Sequence, residues 1–393
     1  MRKLRLGMVG GGQGAFIGAV HRIAARIDGQ WDLVAGALSS DAERARASGA
    51  DLGLDPVRVY TSFEDMAQAE SARPDGIDAV AIVTPNHLHA APAIAFLNAG
   101  IHVICDKPLA SNMEMAEDIA RAVQSRGKLF MLTHNYSGYP LIRQAREMIA
   151  RGDLGDLRLV HVTYIQDWLT EPVRNKQADW RMDPSRAGAA GCLGDIGTHA
   201  FHLASYVTGL RTQNLTADLD AFVPGRLVDD NVHVMLRFHG GAKGMLWASQ
   251  VAPGNENTLT LQVYGDKGGL EWSQENPNQL TFTPFGTPKQ ILTRGGAGSS
   301  DAGRRILRVP PGHPEGYLEG FATLYWDAAA LVRHADQGAD LPEGVHVPDI
   351  SDGLEGMRFI SACIASNLAN GAWTPLYSAK SDSGATIYRP DFE

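Results

Sequence analysis

At 393 residues, 44% hydrophobic and 20% charged, the chain has the composition of a folded protein and exceeds one ordinary core, which predicts two domains. A net charge of −9 argues against a nucleic-acid or anionic-membrane surface. Three scattered cysteines (Cys105, Cys192, Cys363) build neither a disulfide framework nor a zinc knuckle and point to a reducing cytoplasm, and glycines cut the N-terminal apolar stretch too early for a signal peptide or membrane span.

Leu4–Val9 reads as a buried strand, followed by glycines and a helix with Val20, Ile23, Ala24 and Ile27 on one face. Leu33–Leu38 is a second strand, and Asp41 N-caps a helix running to Ala50. Ser62 with Asp65 has the spacing of a capping box. Ile77–Val83 is a third strand, and the helix after it ends at Gly100. His102–Cys105 is a fourth strand, Ser111 with Glu114 caps the next helix, Gly127 stops it, and Leu129–Thr133 is a fifth strand. Strands alternating with helices of this length imply right-handed crossovers and a doubly wound parallel sheet, an α/β dinucleotide-type domain over residues 1–135.

From residue 136 to 393 the expected class is α+β. After a helix around Leu141–Ile149, Val232, Val234, Leu236 and Phe238 share a strand face, His239-Gly240-Gly241 is a turn, and Met245–Val251 returns. Leu259–Tyr264, the turn Gly265–Gly269 and Leu270–Trp272 repeat the motif, so a large, mostly antiparallel meander is expected. One face packs on helices, including one starting near Phe321, and the other is open to a second subunit. Gly295–Gly303 reads as a surface loop.

Directly after the first strand stands Gly10-Gly11-Gly12-Gln13-Gly14-Ala15-Phe16-Ile17-Gly18. Glycines permit a tight strand-to-helix turn and let backbone approach a pyrophosphate at the positive end of the helix. Gly10, Gly12, Gln13, Gly14, Ala15, Phe16 and Ile17 are therefore candidate contacts to a dinucleotide. The spacing is longer than the usual fingerprint, with its last glycine displaced to Gly18. The acid that normally ends the second strand and holds the ribose hydroxyls falls near Leu38-Ser39-Ser40-Asp41. Ser39 and Ser40 with Arg44 would accept a 2′-phosphate, whereas Asp41 would serve NAD, so NAD and NADP both stay open. The plain alternative is that these residues only begin a helix.

Thr84-Pro85-Asn86-His87-Leu88-His89 follows the third strand and Cys105-Asp106-Lys107-Pro108 the fourth, at the carboxyl ends where such sheets bind ligands. Far downstream lies Gly194-Asp195-Ile196-Gly197-Thr198-His199-Ala200-Phe201-His202. In this order and separation, the glycine turn, Thr84-Pro85-Asn86, Asp106-Lys107-Pro108 and Asp195-Ile196-Gly197-Thr198-His199 resemble the Gfo/Idh/MocA oxidoreductases. That family is named for glucose-fructose oxidoreductase and inositol dehydrogenase, and the resemblance covers nearly the whole chain. It implies a Rossmann domain, a mostly antiparallel second domain, an active site between them, and sugar, cyclitol or polyol substrates. It also implies homodimers or homotetramers joined through the second domain's sheet, and Lys107, Asp195 and His199 as the catalytic set. Asp106 is one methylene shorter than the family's glutamate, and His202 stands where many relatives have an aspartate.

The chemistry suits these residue types. Hydride removal from a carbinol carbon requires the hydroxyl proton to leave, and a histidine such as His199 titrates near neutrality. The Lys107 ammonium would stabilise developing alkoxide charge and relay the proton. Asp195, one helical turn before His199, would orient the imidazole or bind a neighbouring hydroxyl. A cis Lys107-Pro108 bond would fix the lysine's direction. His89 and Asn135 are candidate cofactor contacts, with Thr84, Pro85, Asn86 and Asp106. Tyr136, Gln166, Asp167, Trp168, Trp180 and Arg181 are candidate substrate contacts, the tryptophans stacking on sugar C–H faces. Core packing for the tryptophans, a cap or surface role for His87 and His89, and a surface salt bridge for Arg181 are the plain alternatives. Three rivals compete. A metal enzyme built on Asp195, His199 and His202 leaves the glycine turn unexplained. A redox-assisted glycoside hydrolase would oxidise and re-reduce its sugar with no net NADH. A non-enzymatic sensor would not need the Lys107, Asp195 and His199 set.

Overall fold

Five short apolar strands near the N-terminus are joined by helices too long for hairpins, which forces parallel pairing. The computed structural model, which describes residues 2–173 and 180–377, shows this sheet in the order β2-β1-β3-β4-β5. The elements in sequence are β1 (Leu4–Gly10), α1 (Phe16–Ile27), β2 (Trp31–Ala37), α2 (Ala42–Asp51), α3 (Phe63–Ala72), β3 (Ala79–Val83), α4 (Ala90–Asn98), β4 (His102–Cys105), α5 (Met113–Arg126) and β5 (Phe130–Leu132). All four neighbouring pairs are parallel, and β3 and β4 are buried throughout, as strands covered on both faces must be. Asp41 and Ser62 cap α2 and α3 through the Arg44 and Asp65 N–H groups at 2.7 and 3.0 Å, and Gly127 ends α5 at a φ of 62°. The cap of α5 is Asn112, whose Oδ1 accepts from the Met115 N–H at 2.9 Å. The expected cap, Ser111, instead points its hydroxyl at Met115 Sδ.

The chain divides into one unit of Met1–Tyr139 with Glu315–Ile350 and another of Pro140–Pro314 with Ser351–Glu393. The returning stretch of the first unit carries the long helix Tyr317–Gln337, which packs on α1. It also corrects the expected face of α1. Val20 and Ala24 are buried, but Ile23 and Ile27 are exposed, and His21 and Ala25 take the inner positions. The reason is a distant partner. His21 Nδ1 meets the Tyr325 hydroxyl at 2.9 Å, its ring lies 5.1 Å from Phe321, and Trp31 Nε1 donates to the Tyr325 carbonyl at 2.8 Å. Burial pushes the His21 imidazole down to about 4, so it is neutral at pH 7.

The second unit contains α6 (Pro140–Ala150), β6 (Leu157–Ile165), α7 (Thr198–Thr208), β7 (Thr212–Asp220), β8 (Asn231–Phe238), β9 (Lys243–Ser249), β10 (Thr258–Gly265), β11 (Gly268–Ser273), β12 (Gln279–Pro284), β13 (Gln290–Thr293), the helix Ile350–Leu368 and β14 (Thr374–Pro375). Its nine-stranded sheet has the order β13-β12-β11-β10-β6-β9-β8-β7-β14. Val232, Val234, Leu236 and Phe238 do lie buried on one face. The meander, however, is split. β6 enters between β9 and β10, antiparallel to β10 and parallel to β9. Period-two alternation reports which face a residue occupies, not which strand lies beside it, so this insertion leaves no local trace.

Helix α7 covers β6, β9 and β10, whereas the helix holding Phe321, expected here, belongs to the first unit. On the opposite face Met235 and Met245, cross-strand partners on β8 and β9, are exposed. Gly295–Gly303 is not simply a surface loop. Ser299 and Ser300 are buried, and Ser300 caps a short turn, Asp301–Arg304, that packs on α6. Among the described residues no helix is long and apolar enough to cross a membrane.

The Tyr325 hydroxyl is the partner that a buried, neutral His21 has for Nδ1. Tyr325→Phe is expected to lower the unfolding free energy by about 1–3 kcal/mol in urea denaturation. An unchanged transition would mean that this hydrogen bond does not hold the returning helix.

Candidate active site

In the first unit the strand order reverses between β1 and β3, whose ends pair through Gly10 and Val83. That reversal opens a crevice at the carboxyl ends of the strands. Gly10, Gly11 and Gly14 have φ values of 78°, 72° and 75°, which L side chains rarely adopt. A Cβ on Gly12 would stand 2.7 Å from the Leu38 carbonyl, and one on Gly18 2.4 Å from Gly11 Cα. The displaced glycine, Gly18, thus seats α1 against the turn. Ala15 N-caps α1 without a side-chain bond, and Phe16, Ile17 and the rest of the first turn bring no acid. This cradle fits an anionic pyrophosphate.

Around it, Gln13 is tied to α2, its N–H donating to Ser48 Oγ at 3.1 Å and its Nε2 to Asp51 at 2.7 Å. Ser39 Oγ accepts from the Asp41 N–H at 3.2 Å, the Asp41 carboxylate is engaged as the α2 cap, and Ser40 and Arg44 are exposed.

After β3, Thr84 Oγ1 donates to the Leu88 carbonyl at 3.0 Å, Pro85 is half-buried and Asn86 is buried. His89 is buried, and its ring nitrogens meet two backbone carbonyls, Pro108 at 2.8 Å and Thr84 at 2.9 Å. It therefore links the ends of β3 and β4. Burial lowers its pKa, which Asp106 and the two carbonyls oppose. The Lys107-Pro108 bond is cis, as expected. Asp106 Oδ1 accepts from the Lys107 N–H at 2.9 Å and the Thr133 hydroxyl at 3.2 Å, so the shortened acid braces the loop that presents Lys107. Asn135 and Tyr136 are buried in a turn after β5, with Tyr136 stacked 6.0 Å from Tyr139.

The second unit gathers another set. Asp195 lies in a π-helical turn, Leu193–Gly197, that runs directly into α7, where His199 is buried. Asp195 Oδ2 accepts from Arg181 Nε at 3.1 Å and from Gln250 Nε2 at 3.0 Å. The Arg181 guanidinium also sits 4.4 Å from the Trp180 ring centroid, a cation–π contact. Gln166 Oε1 accepts from Trp168 Nε1 at 2.9 Å, while Gln166 Nε2 donates to Asn257 Oδ1 at 2.7 Å. The Tyr164 hydroxyl donates to the same Asn257 oxygen at 2.9 Å, and the Tyr164 ring is 6.2 Å from that of His199. Asp167 instead fixes a turn, its Oδ2 accepting from the Gly254 N–H at 3.0 Å.

Tyr164, Gln250 and Asn257 were not expected from the sequence. Only the polar break after an apolar strand, at Gln250, could have marked one of them. His202 packs inward on Tyr206 at 5.9 Å, and burial pushes its pKa down to about 3. Burial also pushes the Cys192 thiol well up, so it is no nucleophile. Among the described residues no group of three His, Cys, Asp or Glu side chains could hold a metal ion.

Residues 4–134 match the family model described as the oxidoreductase family, NAD-binding Rossmann fold, and residues 142–271 the GFO/IDH/MocA C-terminal domain. A solved oxidoreductase from Sinorhizobium meliloti is 54% identical with a TM-score of 0.87, covering 95% of this chain and 99% of its own. An inositol dehydrogenase homolog from Azotobacter vinelandii, solved with NADH and myo-inositol, is 37% identical with a TM-score of 0.90, covering 95% and 98%. The levoglucosan dehydrogenase of Pseudarthrobacter phenanthrenivorans is 29% identical over 95% of this chain and 98% of its own length. With an NAD-binding Rossmann unit ahead of the characteristic C-terminal domain, the chain belongs to the Gfo/Idh/MocA family of oxidoreductases.

Proposed function

We propose that this protein is an NAD-dependent dehydrogenase acting on a hydroxyl-bearing carbon of a sugar or cyclitol. The observation that carries the reading is the cluster around Asp195. Arginine, two glutamines, asparagine and tyrosine converge there beside Trp168, Trp180 and His199. Alternating donors and acceptors with aromatic faces match a polyol, which presents hydroxyl edges and C–H faces. The relatives named for inositol and levoglucosan point to the same substrate class.

Gly10, Gly12, Gly14 and the first turn of α1 would hold the pyrophosphate. Ser39 and Ser40 would approach the ribose, with Thr84, Pro85, Asn86 and Asn135 further along the dinucleotide. Bound NAD supplies a two-electron hydride acceptor or donor. In this reading His199 takes the proton from the reacting hydroxyl, Lys107 stabilises developing negative charge, and Asp195 orients the substrate. NAD is favoured over NADP by the family match. By resemblance, the open sheet face bearing Met235 and Met245 joins subunits into a dimer or tetramer. Three buried, unbridged cysteines accord with the reducing cytoplasm we assign.

Purified protein mixed with NAD or NADP and with inositols, anhydrosugars, free hexoses or glycosides should reduce NAD with one class of polyol. Glycoside cleavage without accumulated NADH would replace net oxidation by the hydride-returning reaction, and tight NAD binding with no turnover on any class would sink the enzyme reading. Lys107→Ala should lower kcat by about 10²–10⁴-fold while NAD still binds. Equal loss of NAD affinity would reassign the lysine to the cofactor. Gln250→Ala removes a donor from a carboxylate and should cost roughly 10–100-fold in kcat/KM for the polyol. An unchanged value would place the substrate elsewhere.

A further inference from the structure

Asp229 and Asp230 lie side by side between β7 and β8, and the two buried carboxylates are satisfied differently. Asp230 pairs with Arg226 at 3.0 Å and accepts from the Phe222 and Val223 N–H groups at 2.9 and 3.1 Å. Asp229 turns to the segment that carries Asp195. Its Oδ1 accepts from the Gly191 N–H at 2.7 Å and its Oδ2 from the Leu193 N–H at 2.7 Å, while its main-chain carbonyl accepts from the Cys192 N–H at 2.9 Å. The first N–H groups of a helical segment have no intrahelical acceptor, so Asp229 acts as a cap delivered from another part of the chain. Gly191 permits the approach, because a Cβ there would fall 2.3 Å from the Asp229 carbonyl. The Asp195 N–H then donates back to the Gly191 carbonyl at 2.9 Å, and the π-turn Leu193–Gly197 follows. Such turns recur at functional sites because they re-aim side chains.

We infer that Asp229 is a positioning residue for the proposed reaction, its ionised carboxylate clamping the Gly191 and Leu193 N–H groups so that the π-turn presents Asp195 to Arg181 and Gln250. The inference rests on the role proposed above for Asp195 and His199. A protonated carboxyl accepts at one oxygen fewer, so the clamp weakens when Asp229 gains a proton. Burial is the main cause that raises its pKa to about 6, Asp230 adds to it, and the N–H bonds oppose it. The other groups facing this site are Arg226 through Asp230, Asp195, and the Cys192 and Cys363 thiols, which burial holds protonated.

The signs for stability and activity differ. With a folded-state pKa above the ordinary 3.8, the Asp229 contribution to stability is fully present below that value and is lost as pH rises through about 6. Activity moves the other way, rising as the clamp ionises.

The test is hydrogen exchange of the peptide spanning residues 189–199, corrected for intrinsic rates, across pH 4–8 (about two units to either side of the transition). It is run beside kcat and NAD binding, on the wild type, Asp229→Asn and Gly191→Ala. The N–H bonds hold the Asp229 pKa below that of a local opening that frees the Gly191 and Leu193 N–H groups with the carboxyl still buried, so for that opening wild-type protection should rise as pH climbs through the Asp229 pKa. Asp229→Asn should be under-protected without that transition, with kcat about 10–100-fold lower above it and NAD affinity unchanged. Gly191→Ala should lose protection at every pH. A flat wild-type profile, which needs no variant to fold, overturns the inference, as does an Asp229→Asn profile matching the wild type. If the wild type turns over no polyol, the functional reading has failed, while the exchange data still decide the clamp.

Discussion

A helix begins with N–H groups that its own carbonyls cannot reach, and the candidate site residues of both units are organised around that deficit. In the first unit the start of α1 is left without a side-chain cap or an acid, and glycines clear the space before it. A dinucleotide phosphate is the acceptor that such an end suits. In the second unit the corresponding N–H groups are closed by Asp229, a carboxylate from the β7–β8 connection. The same unmet hydrogen bonds therefore define a ligand cradle in one place and a rigid mount for side chains in the other.

Charged and amide side chains at the site are held by mutual satisfaction rather than by burial in apolar surroundings. Asp195 takes Arg181 and Gln250 on one oxygen, and Asn257 gathers Gln166 and Tyr164 on another. Each bond restricts a rotamer, so the cluster is preorganised by its own hydrogen bonds. The first unit uses backbone in the same way. His89 ties the Thr84 and Pro108 carbonyls together, and Asp106 braces the Lys107 N–H. The Asp106 carboxylate thus bonds its own loop and the Thr133 hydroxyl beyond it.

Much of this was legible in the sequence. The glycine turn after β1, the caps at Asp41 and Ser62, the stop at Gly127 and the buried alternation of β8 depend on residues within four positions of one another, which sequence spacing reports directly. Arg181, Trp180, Gln166 and Trp168 were also singled out, and the structure brings them to Asp195. Tyr164, Gln250 and Asn257 were missed. Each sits on or beside a strand whose polar residues read as ordinary solvent-facing positions until the strand's neighbours are known.

The sequence by itself determined the fold class, the order of the parallel strands' turns and the residue types available for proton transfer, because these follow from local periodicity and from short motifs. Tertiary structure decided that β6 splits the meander, that His21 rather than Ile23 faces inward on α1, and that Asp229 caps a turn carrying Asp195. The physical reason is common to all three. A hydrogen-bond partner or packing neighbour far along the chain leaves no periodic signal, and only the folded arrangement of strands and helices brings it within reach.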